Sequence, residues 1–136
     1  MIEMFKIALD FATSRSDERL FRVGACAVRG SDQKIVKARN LPVMIDQDVM
    51  DSYTERYVYP HAHAESSLIK KITPKSVVFV ARGRKLNNQM AMARPCQTCE
   101  TLLGYAGVEK VYYTISELEY GVMFLKSKKD DRIYQF

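Results

Sequence analysis

Two of the chain's three cysteines, Cys96 and Cys99, stand three residues apart in the segment ARPCQTCETLLGYAG. Its early proline and late glycine favour a helix that begins at or near Pro95 and stops by Gly107. Residues three apart lie on one helix face, and the free N–H groups of the first turn favour negative charge there. This environment lowers the pKa of a thiol, and the thiolate is the form that binds metal ions. The pair alone therefore indicates a zinc site, a redox pair or two core cysteines.

The chain's two histidines, His61 and His63, stand with Glu65 in the segment HAHAE, at the start of a second predicted helix. If both helices start at the same edge of one sheet, one histidine and two cysteines provide three ligands. A catalytic zinc ion takes three protein ligands and keeps one position open for water. A structural zinc would take a fourth, and His61 is the candidate. We expect His61 to stay off the metal, because residues two apart do not share a helix face. The two histidines could share a site only if His61 lies outside the helix.

Glu65 has two interpretations. A carboxylate in the first turn of a helix is stabilised by the helix dipole whatever its function. Beside a zinc ion that lowers the pKa of its bound water to ~7, a carboxylate also takes the water's proton and passes it to a substrate. The first interpretation explains Glu65 alone, whereas the second also explains why His63, Cys96 and Cys99 occur with it.

The composition is that of an ordinary globular domain. The chain has 136 residues, of which 47% are hydrophobic and 27% charged, and we assign one domain over residues 1–136. No apolar run is long enough to cross a bilayer, and the N-terminal segment lacks the pattern of a signal peptide. We therefore expect a soluble cytoplasmic protein with reduced cysteines and no membrane partner. The net charge of +5 is compatible with a nucleotide or nucleic acid as ligand, but the run KSKKDDR is typical of a solvated tail.

The order of predicted elements indicates an α/β fold. Strands alternate with helices in the second half of the chain, so we expect a partly parallel sheet with helices on both faces, which is a three-layer sandwich. Residues 41–60 have no clear period and are interpreted as a long connection of the kind that often forms a lid. The predicted elements are helices over residues 2–13, 61–71 and 95–107, and strands over residues 20–30, 34–40, 76–82, 108–116 and 120–127.

The segment HAE, followed after twenty-nine residues by PCQTC, resembles the zinc-dependent cytidine and deoxycytidylate deaminase superfamily, whose signature is H-x-E and then P-C-x-x-C. The segments VGACAV, KIV, YP and AGVEKVYYT, and the asparagine of ARN, resemble its deoxycytidylate branch. The likeness covers roughly residues 2–115. It implies a cytidine deaminase-like three-layer α/β/α sandwich with a mixed central sheet of about five strands. By analogy with related deaminases, we also expect a homo-oligomer.

The resemblance also implies how the residues divide the chemistry. His63, Cys96 and Cys99 would be the zinc ligands, and Glu65 would be the catalytic proton shuttle. The implied reaction is hydrolytic attack of zinc-activated water on carbon 4 of a cytosine ring, followed by loss of ammonia.

Four residues are candidates for substrate binding. By the resemblance, Asn40 would hydrogen-bond the sugar or orient the substrate, and the backbone of Ala64 would face the pyrimidine ring. Arg39 and Arg22 are candidates for a phosphate, whose geometry arginine matches; an exposed surface arginine is the alternative for each. The chain has ARNL where the family commonly has G-x-N-G, which bears on the sugar and phosphate more than on the reaction.

Three functions follow from these observations. The first is deamination of a free cytosine nucleotide, dCMP to dUMP, which makes the substrate a small molecule. The alternative is deamination of cytosine or adenine within single-stranded DNA or RNA. The sequence shows no basic run interleaved with aromatic residues, which is the usual sign of a strand-binding groove. The third is a zinc-stabilised interaction module without activity, for which the carboxylate of Glu65 has no use.

Overall fold

The computed structural model describes residues 1–13, 21–39, 41–42, 61–62, 64–84, 89–127 and 129–136. In these residues the helices are α1 (Ile2–Thr13), α2 (Ala64–Leu68) and α3 (Gln97–Tyr105), and a 3-10 turn (Ile69–Lys71) follows α2. The strands are β1 (Phe21–Val28), β2 (Ile35–Arg39), β3 (Leu41–Pro42), β4 (His61–Ala62), β5 (Val77–Arg84), β6 (Met90–Ala91), β7 (Lys110–Thr114), β8 (Glu119–Phe124) and β9 (Arg132–Gln135).

Seven of the described strands form one mixed sheet in the order β2-β1-β5-β7-β8-β9, with β6 paired to β5. β1 is antiparallel to both β2 and β5, β5 is parallel to β7, and β7, β8 and β9 form an antiparallel meander. The predicted mixed sheet with a parallel portion is confirmed, but the predicted count of about five strands is too low. The missed strands are β6, which has two residues, and β9, whose residues are all exposed. Neither contains a buried apolar run by which a strand is predicted.

The two faces of the sheet bury different side chains, because successive residues of a strand point to opposite sides. Along β5, Val78 and Val80 pack with α2 and α3, whereas Phe79 and Ala81 pack with α1. Along β1, Cys26 lies on the same side as α1. We call these sides the α2/α3 face and the α1 face. Helices on both faces confirm the predicted three-layer sandwich.

α1 occupies the residues predicted for it and buries one stripe. Phe5, Ala8, Leu9 and Ala12 are buried at spacings of three or four residues, which place them on one side of a helix. The helix lies so close to β1 that a Cβ on Gly24 would stand 1.9 Å from the carbonyl oxygen of Ala8. A side chain at Gly24 would push α1 off the sheet, which explains the glycine in the segment VGACAV.

The helix predicted over residues 61–71 is shorter in the structure. Its first two residues form β4, which pairs antiparallel with β3, and this extended backbone cannot be helical. α2 begins at Ala64 and gives way after five residues to the 3-10 turn. His61 therefore lies outside the helix, so the helix-face reason for keeping it off the metal does not apply, and its role at the site stays a prediction.

β5 continues two residues beyond its predicted end, because Gly83 and Arg84 extend the ladder with β1. Of the connection predicted over residues 41–60, only β3 is described, so the predicted lid lies outside the described residues. None of the described helices has the length and apolar character that crossing a membrane requires.

Candidate active site

Cys96 and Cys99 stand at the start of α3. Cys96 is the N-cap residue, with an extended backbone (φ −68°, ψ 165°), and its carbonyl oxygen accepts the N–H of Glu100 at 2.8 Å. Cys99 is the third helical residue and is only 2% exposed. The side chains at these two positions of a helix lie next to each other. Here the Cys99 thiol hydrogen-bonds with the side chain of Cys96.

The chain reaches α3 along the carboxyl ends of the parallel strands β5 and β7. The Ala93 N–H donates to the carbonyl oxygen of Thr114 at 2.8 Å, and the Thr114 hydroxyl donates to the carbonyl oxygen of Ala91 at 2.7 Å. The same hydroxyl accepts the N–H of Arg82 at 3.2 Å, and Thr114 is fully buried. These bonds place the first turn of α3 at the sheet edge where ligands of α/β proteins commonly bind.

Glu65, in the first turn of α2, reaches the same place. It is 5% exposed, and its side chain hydrogen-bonds with the Cys99 thiol. α2 and α3 pack beside each other on the α2/α3 face, where Leu68 and Leu103 belong to one apolar cluster. The two helix starts therefore meet, as expected from the sequence, and bring a carboxylate to the cysteines.

The surroundings of Cys99 raise the pKa of its thiol, opposite to the direction expected from the sequence. The hydrogen bond with Cys96 contributes most, burial comes next, and the negative charge of Glu65 acts in the same direction. These effects outweigh the preference of a helix start for a thiolate. A cation between these side chains would reverse the balance, because metal coordination deprotonates a thiol outright.

These donors fit a zinc ion. Two thiols from one helix start, one of them buried, are ligands that zinc prefers. In the part of the chain that the structure describes, no three His, Cys, Asp or Glu side chains could hold a metal ion by themselves. The fit therefore depends on the predicted third ligand, His63, which lies outside the described residues between β4 and α2.

The predicted substrate-binding residues differ in where the structure places them. Ala64 is the first residue of α2 and is fully buried. Arg39 ends β2 and is directed to α1: its guanidinium lies 4.7 Å from the ring centroid of Phe11 and donates to the Phe11 carbonyl oxygen at 3.4 Å. Asn40 lies outside the described residues, and only the backbone of Arg22, in β1, is described.

A group of side chains at this edge was missed by sequence analysis. The Asp131 carboxylate accepts hydrogen bonds from the Tyr113 hydroxyl at 2.6 Å and from Arg94 Nε at 2.7 Å. Burial acts to raise the pKa of Asp131, but these two bonds outweigh it and leave the pKa below its ordinary value. Arg94 stands two residues before Cys96, so Asp131 ties the tail to the segment that enters α3. No sequence signal pairs these residues, since Asp131 lies in the run interpreted as a solvated tail.

Comparison with solved structures shows the fold. The chain is similar to the cytidine deaminase from Burkholderia pseudomallei, known from a 1.6 Å crystal structure, with a TM-score of 0.52 and 17% sequence identity. The similarity covers 98% of this chain and 91% of that one, and it confirms the predicted cytidine deaminase-like fold. A comparison with curated protein sequences gave no significant match.

A family comparison identifies the zinc-binding region. Residues 2–115 match the model described as the cytidine and deoxycytidylate deaminase zinc-binding region, and these residues include both HAHAE and PCQTC. The match confirms the predicted superfamily, its hydrolytic deaminase chemistry and the zinc cofactor, and it treats the cytidine and deoxycytidylate branches together. The chain therefore belongs to the family of zinc-dependent cytidine and deoxycytidylate deaminases.

Proposed function

We propose that the protein deaminates a cytosine nucleotide and that its substrate is dCMP, which it converts to dUMP with release of ammonia. The observation that carries the proposal is that Glu65, buried in the first turn of α2, lies beside Cys99 at the start of α3, because this brings a carboxylate from one helix to a cysteine pair on another. The family match supports a cytosine ring as the reacting group. The segments VGACAV and YPHAHAE, which resemble the deoxycytidylate branch, support the nucleotide.

In this proposal His63, Cys96 and Cys99 hold the zinc ion. When bound, zinc supplies Lewis-acid activation of water at neutral pH. Glu65 takes the proton of the attacking water and delivers it to the ring nitrogen N3 while a C4–O bond forms. Glu65 then moves the second proton to the exocyclic amino group, the C4–N bond breaks, and ammonia leaves. Because Glu65 is 5% exposed, bulk water has little access to the proton that it carries.

The proposed substrate contacts differ in how well the structure supports them. The backbone of Ala64 faces the pyrimidine ring, and Asn40, which follows β2, hydrogen-bonds the sugar. Arg22 is the candidate for the phosphate. Arg39 supports the proposal less, because its guanidinium is directed to the Phe11 ring of α1. By analogy with related deaminases we also propose that the protein is a homo-oligomer and is cytoplasmic. Sedimentation of the purified protein tests the oligomeric state.

The test is a substrate panel offered to the zinc-loaded protein. dCMP, CMP, deoxycytidine, cytidine and an oligonucleotide with a single cytosine are supplied at equal concentration, and ammonia release is measured. We expect the fastest release from dCMP. No release from any monomer would overturn the proposal, and release from the oligonucleotide alone would favour the alternative of a base deaminase that acts within a strand.

The same panel tests the proton shuttle. Glu65→Gln is expected to lower kcat by about 10²- to 10⁴-fold, the contribution of general acid–base catalysis, and to keep the zinc. Glu100→Gln is the matched control, since Glu100 is also a carboxylate in the first turn of a helix and has the same relation to the helix dipole. Turnover by Glu65→Gln at the rate of the unmodified protein would show that Glu65 moves no proton.

A further inference from the structure

The α1 face carries a groove of about 540 Å³ beside the N-terminal end of α1. Among the described helices, only α1 packs on this face, and it lies mainly over β1 and β5. The strands β7, β8 and β9 therefore provide the floor of the groove. Alternate residues of these strands line it: Lys110 and Tyr112 on β7, Phe124 on β8, and Arg132 and Tyr134 on β9.

Cations outnumber anions among the described residues that line the groove. Lys110, Lys126, Lys129 and Arg132 line it together with one carboxylate, Glu109. Glu109 pairs with Lys126 at 3.1 Å, and the other three cationic residues are exposed. The groove therefore suits a ligand with several negative charges.

An aromatic ring lies between two of these cations. Lys110 is the cross-strand partner of Phe124, and its Nζ lies 5.9 Å from the ring centroid. The guanidinium carbon of Arg132 lies 6.0 Å from the same centroid. Both distances are at the outer limit of a cation–π contact, so both cations stay within reach of a ligand's phosphates. Nearby Tyr134, which is 41% exposed, stacks on Tyr120 with centroids 5.5 Å apart.

We propose that this groove binds single-stranded nucleic acid, with bases stacked on Phe124 and Tyr134 and phosphates paired with Lys110 and Arg132. Aromatic rings in a cationic groove hold single strands without reading their sequence, and a sheet face with exposed aromatics serves the same purpose in RNA-binding domains. A duplex keeps its base faces stacked inside, so it cannot use the rings. The groove lies on the opposite face of the sheet from Glu65 and is independent of the proposed reaction.

Sequence inspection misses this groove for a physical reason. Its floor comes from three strands, whose lining residues alternate with residues of the other face, such as Val111 and Tyr113. Three of its cations, Lys126, Lys129 and Arg132, belong to the run KSKKDDR, which by itself is typical of a solvated tail. The rings Tyr112, Tyr120 and Phe124 lie outside that run. Only the register of β7, β8 and β9 places them side by side.

The test measures binding of fluorescein-labelled oligo(dT) and oligo(U) of about 12 nucleotides, a length within the site sizes of such grooves. Neither contains cytosine, so neither is a substrate for the proposed reaction. With the zinc-loaded protein at about 50 mM salt, we expect saturable fluorescence anisotropy for at least one of the two, and weaker binding as salt rises. A duplex of the same length is expected to bind less tightly.

Variants then locate the binding. Tyr134→Ser and Phe124→Leu are each expected to weaken binding roughly tenfold, the effect of losing one base–aromatic stack. Arg132→Gln is expected to lower the slope of log affinity against log salt by about 0.7, the effect of losing one phosphate contact. Lys34→Gln is the matched control, because Lys34 is an exposed lysine beside β2, at the other edge of the sheet. Thermal unfolding of each variant shows that it is folded.

Three results would overturn the proposal. One is the absence of binding to both oligonucleotides at about 50 mM salt. Another is equal weakening by Lys34→Gln and Arg132→Gln, which would indicate attraction by net charge alone. The third is displacement of the oligonucleotide by saturating dCMP, which would place the strand in the catalytic site.

Discussion

The two faces of the sheet are built on the same strands but hold different chemistry. On the α2/α3 face, aliphatic residues pack under two short helices whose first turns bring Glu65 and Cys99 together. On the α1 face, one side of the longer helix α1 packs among aromatic rings, and Phe5 contacts Phe79 edge to face with centroids 6.0 Å apart. A helix start presents unpaired N–H groups that favour negatively charged groups such as carboxylates and thiolates, whereas the side of a helix provides packing. In this fold the reactive groups are therefore found where helices begin.

The contrast is clearest at two buried cysteines, one on each face. Cys26 is fully buried, its thiol donates to the carbonyl oxygen of Met4 at 3.3 Å, and burial raises its pKa to about 12. Cys99 is almost as buried, but its neighbours are Cys96 and Glu65. Burial alone makes a thiol inert. A second thiol and a carboxylate beside it make a thiol suitable for a metal.

The largest expected effect comes from replacing each of these two cysteines in turn, which tests whether only Cys99 serves the metal. Cys99→Ala is expected to remove the zinc and to lower turnover by more than about 10²-fold. Losing a residue that only hydrogen-bonds to a metal ligand already costs up to about 10²-fold, and losing the ligand itself costs more. Cys26→Ala is the matched control and is expected to keep both zinc and turnover while losing about 1 kcal/mol of stability. Metal analysis and ammonia release check the pair. Full zinc content in Cys99→Ala would contradict the assignment of the ligand.

The next largest effect concerns stability and the close packing of α1 against β1 at Gly24. Gly24→Ala is expected to lower the free energy of unfolding by about 3 kcal/mol, because its Cβ would overlap the carbonyl oxygen of Ala8. Gly104→Ala is the control: it lies within α3 with no atom in reach of a Cβ, and alanine there is expected to add about 0.5–1 kcal/mol. Urea unfolding measures both. Equal changes would show that α1 does not touch β1 at Gly24.

The smallest effect concerns the tail, which serves both faces. Asp131→Asn is expected to lower stability at neutral pH by about 1 kcal/mol, since its partner Arg94 is 43% exposed and the pair is partly screened. The pKa of Asp131 is lowered in the folded protein. Its contribution is therefore fully present above the unfolded pKa of about 3.9 and is lost as the pH falls through the lower folded value.

Urea unfolding at several pH values measures this contribution as the difference between Asp131→Asn and the unmodified protein. Asp130→Asn is the control, because Asp130 is the exposed neighbour in the same run. A difference that does not change between neutral and strongly acid pH would contradict the role given to the Asp131 carboxylate.

Much of the fold was predictable because its signals are local. The stripe of α1, the hairpin of β1 and β2, the buried run of β5 and the proline before Cys96 each occupy a few consecutive residues. The start of α2 was predicted too early, because the pairing of β4 with β3 joins residues distant in sequence. β9 was missed because its residues are exposed and only its pairing with β8 makes it a strand.

The candidate site divides in the same way. Residue types and spacings within HAHAE and PCQTC were enough to predict a zinc chemistry, since neighbours three apart meet on any helix. A lowered pKa was expected for the Cys99 thiol, whereas the structure raises it. The sequence does not show that the Cys96 side chain, burial and the charge of Glu65 act together on this thiol. That effect depends on how α2 packs against α3.

By itself, the sequence determined the helix with the cysteine pair at its start, the second motif with a histidine and a carboxylate, and the family to which both belong. Tertiary structure alone decided that Glu65 reaches Cys99, that Asp131 holds Arg94, and that cations and rings of three strands line one groove. The physical reason is the distance along the chain between the residues that interact. Spacing along one element is set by backbone geometry, whereas contacts between elements depend on strand order, register and helix packing.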